Sequence, residues 1–341
     1  MSKVSFGLVG YGAWGSHHAR VIAESPATRL AAIAEASAAR RAEAQAAHPE
    51  ALVVADYRDL LSSRDLEVVD VVLPSFLHHP VGRAVLEAGK HLLLEKPMAL
   101  SIAECADLVQ LAQARGCRLS VGHEFRFSAL WGRVKELVDA GAIGDPQYAL
   151  IELWRNPYRL GSDGWRYDIQ RVGNWILEEP IHFFDLARWY FSACGNPISV
   201  YARANARDAA RPELQDNFSA IVNFPGGRYA VISQTLSAFE HHQVVKLTGS
   251  RGAIWASWSG ALDRTFHPTF FLRHFNGTAI ADVTIPQAAG EVYELADEIA
   301  GMAEAVRTGG VPRVTGEDGL WSVAMCLKAQ ESVDSGSAVN F

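Results

Sequence analysis

Cysteine is scarce and scattered. The 341-residue chain holds four, Cys105, Cys117, Cys194 and Cys326, and no two form a Cys-x-x-Cys pair. A chain of this size needs no disulfide framework, and a reducing, cytoplasmic setting is expected. Long apolar runs are missing too: no window approaches the ~18 uncharged apolar residues of a membrane helix. The opening Met1–Val9 lacks a basic region followed by a long apolar stretch; its short apolar run stops at Gly10 and reads as a strand, not a signal peptide. Low-complexity tracts and internal repeats are absent. Basic charge is not in excess: 31 Lys and Arg face 38 Asp and Glu, a formal net charge of -7. That balance argues against nucleic acid or an anionic membrane as the main partner.

What is present is ordinary globular material, 49% hydrophobic and 20% charged, enough for about two domains. Over the first ~120 residues, short apolar strands alternate with helical segments. Val4–Val9, Leu30–Ala34, Leu52–Val54, Val68–Leu73, Lys90–Leu94 and Arg118–Val121 read as strands. Alternation of this kind implies a parallel sheet covered by helices on both sides. Ser101-Ile-Ala-Glu104 has the spacing of a capping box, with Gly116 past the end of the helix that it starts. From about Gln147 the pattern changes to strands of a mostly antiparallel sheet, with Pro225-Gly226-Gly227 as a hairpin turn and Ile181–Tyr190 as a helix among them. Val292–Arg307 and Glu317–Val333 are helical. The expected fold is an α/β Rossmann domain, a doubly wound parallel sheet, over 1–122. An α+β domain with a large, open, mostly antiparallel sheet follows over 123–341, its C-terminal helices able to pack back on the first.

Gly10-Tyr11-Gly12-Ala13-Trp14-Gly15 follows a strand and opens a helix with G-x-G-x-x-G spacing. The first glycine suits a tight turn, the second lets backbone approach a pyrophosphate, and the third lets helix and strand pack closely; the helix start then faces the phosphates. Glu35 ends the second strand, 20 residues after Gly15. A carboxylate there accepts hydrogen bonds from the adenosine ribose and disfavours a 2′-phosphate, so NAD is expected. Arg40 and Arg41 keep NADP open, since they either reach a 2′-phosphate or line a solvated helix face. Glu95-Lys96-Pro97 follows a strand at its C-terminal end, where ligands bind in open α/β sheets. A lysine there can donate to a substrate hydroxyl and stabilise a developing alkoxide.

In this order, Gly10–Gly15, Glu35, Pro74 with His78, and Glu95-Lys96-Pro97 resemble the Gfo/Idh/MocA family, which includes glucose–fructose oxidoreductase and inositol dehydrogenases. Gly122-His123 with Phe125-Arg126-Phe127, and Gly173 followed by Glu178, His182 and Asp185, extend the likeness over essentially the whole chain. The resemblance implies a cis peptide before Pro97, with Lys96, Glu178 and His182 as catalytic groups. It also implies dinucleotide contacts from Leu73, Pro74, Ser75, His78, Glu95, Lys96 and Pro97 besides the glycine loop. The chain departs from the family pattern with Glu178 where aspartate is usual and Pro180 where glycine is common. Pro180 suits a first helical turn, and His182 and Asp185 then share one helix face. An imidazole accepts a hydroxyl proton near neutral pH while hydride leaves the same carbon. Asp185 reads as structural.

Trp154-Arg155-Asn156 and Trp165-Arg166-Tyr167 pair aromatic planes with donors, which suits a sugar and equally suits a core. Together with Lys96, Arg126 and His182, Trp154, Arg166 and Tyr167 form the expected substrate set. No metal is expected: the doublets His17-His18, His78-His79 and His241-His242 lack a third ligand at metal spacing. The expected function is an NAD(P)-dependent dehydrogenase for a secondary alcohol of a cyclic polyol, sugar or sugar derivative. The alternatives are a glycoside hydrolase that oxidises transiently with bound NAD, and a dinucleotide-binding sensor. A homodimer or homotetramer is expected through the outer face of the second sheet, carrying Val231 or Ile232 according to register.

Overall fold

The computed structural model describes residues 3–341. The chain divides into two compact units. One comprises the residues up to His123 together with Leu295–Leu320; the other comprises Glu124–Glu294 and Trp321–Phe341.

The first unit opens with strand β1 (Val4–Val9), helix α1 (Gly15–Glu24), β2 (Thr28–Ala34), α2 (Ala38–Ala47), β3 (Leu52–Val54) and α3 (Tyr57–Leu61). It continues with β4 (Val68–Val71), α4 (His78–Glu87), β5 (His91–Leu94), α5 (Ile102–Arg115) and β6 (Leu119–Val121). The six strands are all parallel in the order β3-β2-β1-β4-β5-β6. That is the doubly wound order whose sequence reverses between β1 and β4, the place where such sheets bind dinucleotides. β1 and β4 are buried at every position, as strands covered on both faces must be. Phe6, Leu8, Ile22 and Ile33 pack there with Leu295, Ile299 and Met302. The capping box forms as expected: Glu104 N–H donates to Ser101 Oγ at 3.2 Å, and Ser101 Oγ reaches Glu104 Oε2 at 3.1 Å.

The second unit holds α6 (Trp131–Asp139), β7 (Pro146–Arg155), α7 (Ile169–Val172) and α8 (Pro180–Tyr190). The strands β8 (Ser199–Asn205), β9 (Asn217–Phe224), β10 (Arg228–Thr235), β11 (His241–Gly249) and β12 (Ala253–Gly260) follow. Beyond them come β13 (Thr269–Phe275) and β14 (Ile280–Asp282), two strands that the sequence pattern left unassigned. Helices α9 (Glu291–Thr308) and α10 (Gly316–Ser335) each pass from one unit to the other, and the short β15 (Val339–Asn340) pairs with β8. The nine strands run β14-β13-β12-β11-β7-β10-β9-β8-β15, antiparallel except for β10 beside β7. Alternation sorts the side chains. Ile151, Leu153, Ile232, Val245 and Leu247 are buried, and α8 packs on this part of the sheet. On the other face Trp154, Ile221, Tyr229, Trp255 and Phe271 are exposed. Register therefore assigns Val231, not Ile232, to the outer face.

Candidate functional site

The glycine loop forms as its spacing requires. Gly10 has φ 99°, and an added Cβ there would meet Val72 O at 2.3 Å; at Gly15 it would meet Gly10 O at 2.0 Å. These two glycines are fixed by packing. At Gly12 a Cβ would meet nothing within 4 Å, so this side of the loop is open, and no side chain caps the start of α1. The loop thus leaves room and backbone N–H groups for a pyrophosphate. Leu73 borders Gly10 at the end of β4, with Pro74 and the buried Ser75 next in the turn.

Glu35 is anchored by backbone: Tyr11 N–H donates to its Oε2 at 2.7 Å and Ser37 N–H to its Oε1 at 2.8 Å. Each carboxylate oxygen retains a further lone pair for a ribose hydroxyl. Arg41 turns its guanidinium to Glu35 O and Ala36 O at 2.8 and 2.6 Å, and Arg40 pairs with Glu43 at 2.9 Å on the surface. Both arginines therefore have local partners.

The Lys96–Pro97 peptide is cis, as the motif implied. The turn is gripped from two directions. His78 places Nδ1 at 2.6 Å from Pro97 O and Nε2 at 2.7 Å from Leu73 O. Carbonyl oxygens only accept, so a neutral ring donates to one of them and a protonated ring to both. This ties the turn to the end of β4, and His78, expected at the dinucleotide, is a staple between two segments of the loop region. On the other side Glu95 accepts Trp14 Nε1–H at 2.8 Å and Lys96 N–H at 3.1 Å.

Behind Glu95 stands a group that sequence reading passed over. His18 is 1% exposed, with Nδ1 at 2.7 Å from Asp70 and Nε2 at 3.3 Å from Glu95. Burial by itself would lower the His18 pKa, but the Asp70 and Glu95 carboxylates overcome it and raise it to about 10. Burial would raise Glu95; His18, Lys96 and Trp14 bring it down to about 2. Asp70, wholly buried, is pushed above the usual carboxylate range by desolvation, although His18 draws it the other way. The only sequence signals were the His17-His18 doublet, weighed as a metal pair, and an acidic residue inside an apolar strand.

In the second unit, Pro180 sits in the first turn of α8 and His182 follows, 2% exposed. Its ring lies 4.7 Å from that of Phe125, and its Nε2 is 3.6 Å from Glu124 Oε1. Glu124 was also missed: the motif residues on either side of it were recognised and the carboxylate between them was not. Glu178, expected among the catalytic groups, accepts Arg166 Nε–H at 2.8 Å. Arg166 and Glu178 are brought together, one half-buried and the other buried.

Three of the expected substrate residues have other partners or another face in this structure. Arg126 is 5% exposed and spends its fork on Asp185, with Nε and Nη2 each at 2.7 Å from a carboxylate oxygen; it fixes α8, and Asp185 is structural as expected. Trp154 points to the outer face of the sheet because Leu153 and Arg155 on either side point inward. Tyr167 donates its hydroxyl to Tyr158 O at 2.7 Å and packs edge-on against Trp175, in a satellite core with Tyr158, Trp165 and Leu214. Beside Trp154, Arg155 makes a buried ion pair with Glu179, which also lies 3.2 Å from His241.

Comparison with known proteins follows the same division of the chain. Residues 4–123 match the GFO/IDH/MocA model described as an oxidoreductase family with an NAD-binding Rossmann fold, and residues 131–255 match the GFO/IDH/MocA C-terminal domain. A dTDP-3,4-didehydro-2,6-dideoxy-alpha-D-glucose 3-reductase of Streptomyces violaceoruber is 31% identical over 92% of this chain and 88% of its own length. An inositol 2-dehydrogenase of Rhizobium meliloti is 27% identical over 97% of both. In structure, an aldose-aldose oxidoreductase from Caulobacter crescentus superposes with a TM-score of 0.87 at 22% identity, covering 100% of both chains.

Proposed function

The chain belongs to the Gfo/Idh/MocA oxidoreductase family, and on that premise we propose that it oxidises or reduces one secondary alcohol–ketone centre of a cyclic polyol, sugar or sugar derivative. Its first unit is an NAD-binding Rossmann domain, and the open side at Gly12 and the anchored Glu35 fit that cofactor. Bound NAD supplies the hydride acceptor, or as NADH the donor. The observation that carries the reading is the bond from Trp14, in the glycine loop, to Glu95 of the Glu-Lys-Pro turn: the lysine motif is built onto the dinucleotide loop.

The residues divide the remaining work. Lys96 donates a hydrogen bond to the reacting oxygen, holding it in the ground state and stabilising it as charge develops. His182 takes the hydroxyl proton as the carbonyl forms, while the electron pair of the C–H bond leaves as hydride. Glu124, beside the His182 ring, favours the imidazolium that this transfer creates. Glu178 keeps Arg166 in place and carries the family's carboxylate one methylene further.

The test is a panel of inositols, aldoses and amino-sugars with NAD+, read by absorbance of reduced nicotinamide. Stoichiometric accumulation of NADH with at least one member supports the reading. Glycoside cleavage with constant NAD+ would replace it by hydrolysis through transient oxidation. Dinucleotide binding without turnover on any member would favour a sensor.

The outer sheet face supports a second proposal, a homodimer or homotetramer. Trp154, Ile221, Tyr229, Trp255 and Phe271 lie on it, a set too apolar for a face left in water.

A further inference from the structure

One carboxylate joins the two motifs of the first unit. Glu95 touches the dinucleotide loop through Trp14 Nε1 at 2.8 Å and the lysine turn through Lys96 N at 3.1 Å. It is seated against the end of β6, where a Cβ on Gly122 would stand 3.2 Å from its Cδ. His18 holds it from behind. His18 Nδ1 bonds Asp70 at 2.7 Å and Nε2 lies 3.3 Å from Glu95, and these two carboxylates hold the ring protonated. His18 is therefore a buried cation between two anions, and neither partner is in water: the side chains of His18 and Asp70 are 1% and 0% exposed, that of Glu95 11%.

Such an arrangement does more than a packed core needs. Buried ion clusters contribute little net stability relative to apolar replacements, and their best-attested use is to fix one geometry. The geometry fixed here is the distance between the loop that receives a pyrophosphate and the backbone that carries Lys96. We propose that His18, with Asp70 behind it, is a positioning residue that acts through Glu95 and Trp14, so that occupancy of the glycine loop sets the placement of the Lys96 amine. This rests on the reading of Lys96 as the substrate donor. Pyrophosphate on the loop fixes Trp14, Trp14 fixes Glu95, and Glu95 fixes the turn; the dinucleotide thereby prepares the lysine before substrate arrives.

The test needs no substrate. ADP-ribose supplies the pyrophosphate and lacks the nicotinamide, and the rate at which trinitrobenzenesulfonate modifies Lys96, followed by peptide mass spectrometry, reports the state of the amine. In the wild type, ADP-ribose changes that rate by about fivefold or more, the lower range of ordinary coupling. Trp14→Phe removes the indole N–H together with one ring of the indole, and His18→Gln removes the buried charge. In both the response of Lys96 disappears at saturating ADP-ribose, the saturating concentration being set from the dissociation constant measured for each variant. If His18→Gln does not fold, Trp14→Phe carries the test alone. An absent response in the wild type, or an unchanged response in a folded variant, overturns the proposal. Lys96→Ala distinguishes the two levels: wild-type kcat in that variant overturns the catalytic reading and leaves the labelling result standing.

Discussion

Two of the buried histidines that sit beside carboxylates, His18 and His182, show a contrast that separates structure from chemistry. His18 has a carboxylate at each ring nitrogen, and its pKa is raised to about 10. A ring held in this charge state stays protonated near neutral pH. His182 has Glu124 at 3.6 Å, beyond hydrogen-bond length, and the Phe125 ring at 4.7 Å. The same side chain therefore serves as a fixed ion in one unit and, on our reading, as a proton carrier in the other. What differs is how the named carboxylates stand: Asp70 is at 2.7 Å from His18, and Glu124 at 3.6 Å from His182.

The comparison breaks first in stability. Replacing His18 by Leu leaves Asp70 and Glu95 facing each other without their cation, and removing one partner of a buried pair costs about 3–5 kcal/mol. Urea denaturation should show that loss. Arg126→Met, which strands Asp185, should cost a similar amount. His182→Leu is the matched comparison in the second unit, read in the same denaturation series. Equal losses at His18 and His182 would remove the distinction.

A pH titration of stability sharpens the same contrast. The folded His18 value is raised from 6.5 to about 10, so its stabilisation is complete below pH 6.5 and drains away as pH rises through 10. Glu95, lowered from 4.5 to about 2, stabilises above pH 4.5 and loses its contribution as pH falls through 2. Denaturation midpoints should therefore decline on the alkaline side in the wild type and lack that component in His18→Gln.

Cofactor choice gives a smaller effect. Hydrogen bonds to a charged group are worth about 1.5–3 kcal/mol, so Glu35→Ala should weaken NAD by about 10- to 100-fold. Steady-state kinetics with both dinucleotides should show the wild type preferring NAD; preference for NADP would promote Arg40 or Arg41 to phosphate ligands. The smallest effect on the single chain is expected on the outer sheet face. Trp255→Glu with Trp154→Glu should leave the folding midpoint within about 0.5 kcal/mol in each monomer, as exposed substitutions do. Light scattering should nonetheless show the oligomer reduced to monomer, and a wild type already monomeric at micromolar concentration would refute the interface.

Much of this was legible in the sequence. Period-two apolar runs, Gly10–Gly15 and the Ser101–Glu104 cap are local signals, and the parallel sheet follows from their alternation. Strands Thr269–Phe275 and Ile280–Asp282 escaped because their residues are largely exposed at the edge of a sheet, where no inward face imposes a pattern. The site was legible where residues adjoin in the chain, as at Lys96-Pro97. It was not where burial decides. Asp70 interrupts an apolar strand with no local reason; its partner is His18, 52 residues away. Arg126 was assigned to a substrate because a free guanidinium suits one, but Asp185 occupies it, 59 residues on. Trp154 was misassigned because strand parity, not residue type, chooses the face.

On our reading His182 moves the proton and His18 does not, and kcat of His182→Ala, measured together with its dissociation constant for NAD+, decides between them. Loss of a general base is worth about 10²–10⁴ in rate. The account predicts a fall in kcat of that size, an unchanged NAD+ affinity, and loss of the acidic limb from the pH profile of alcohol oxidation. Wild-type kcat with the same pH profile in His182→Ala would contradict it.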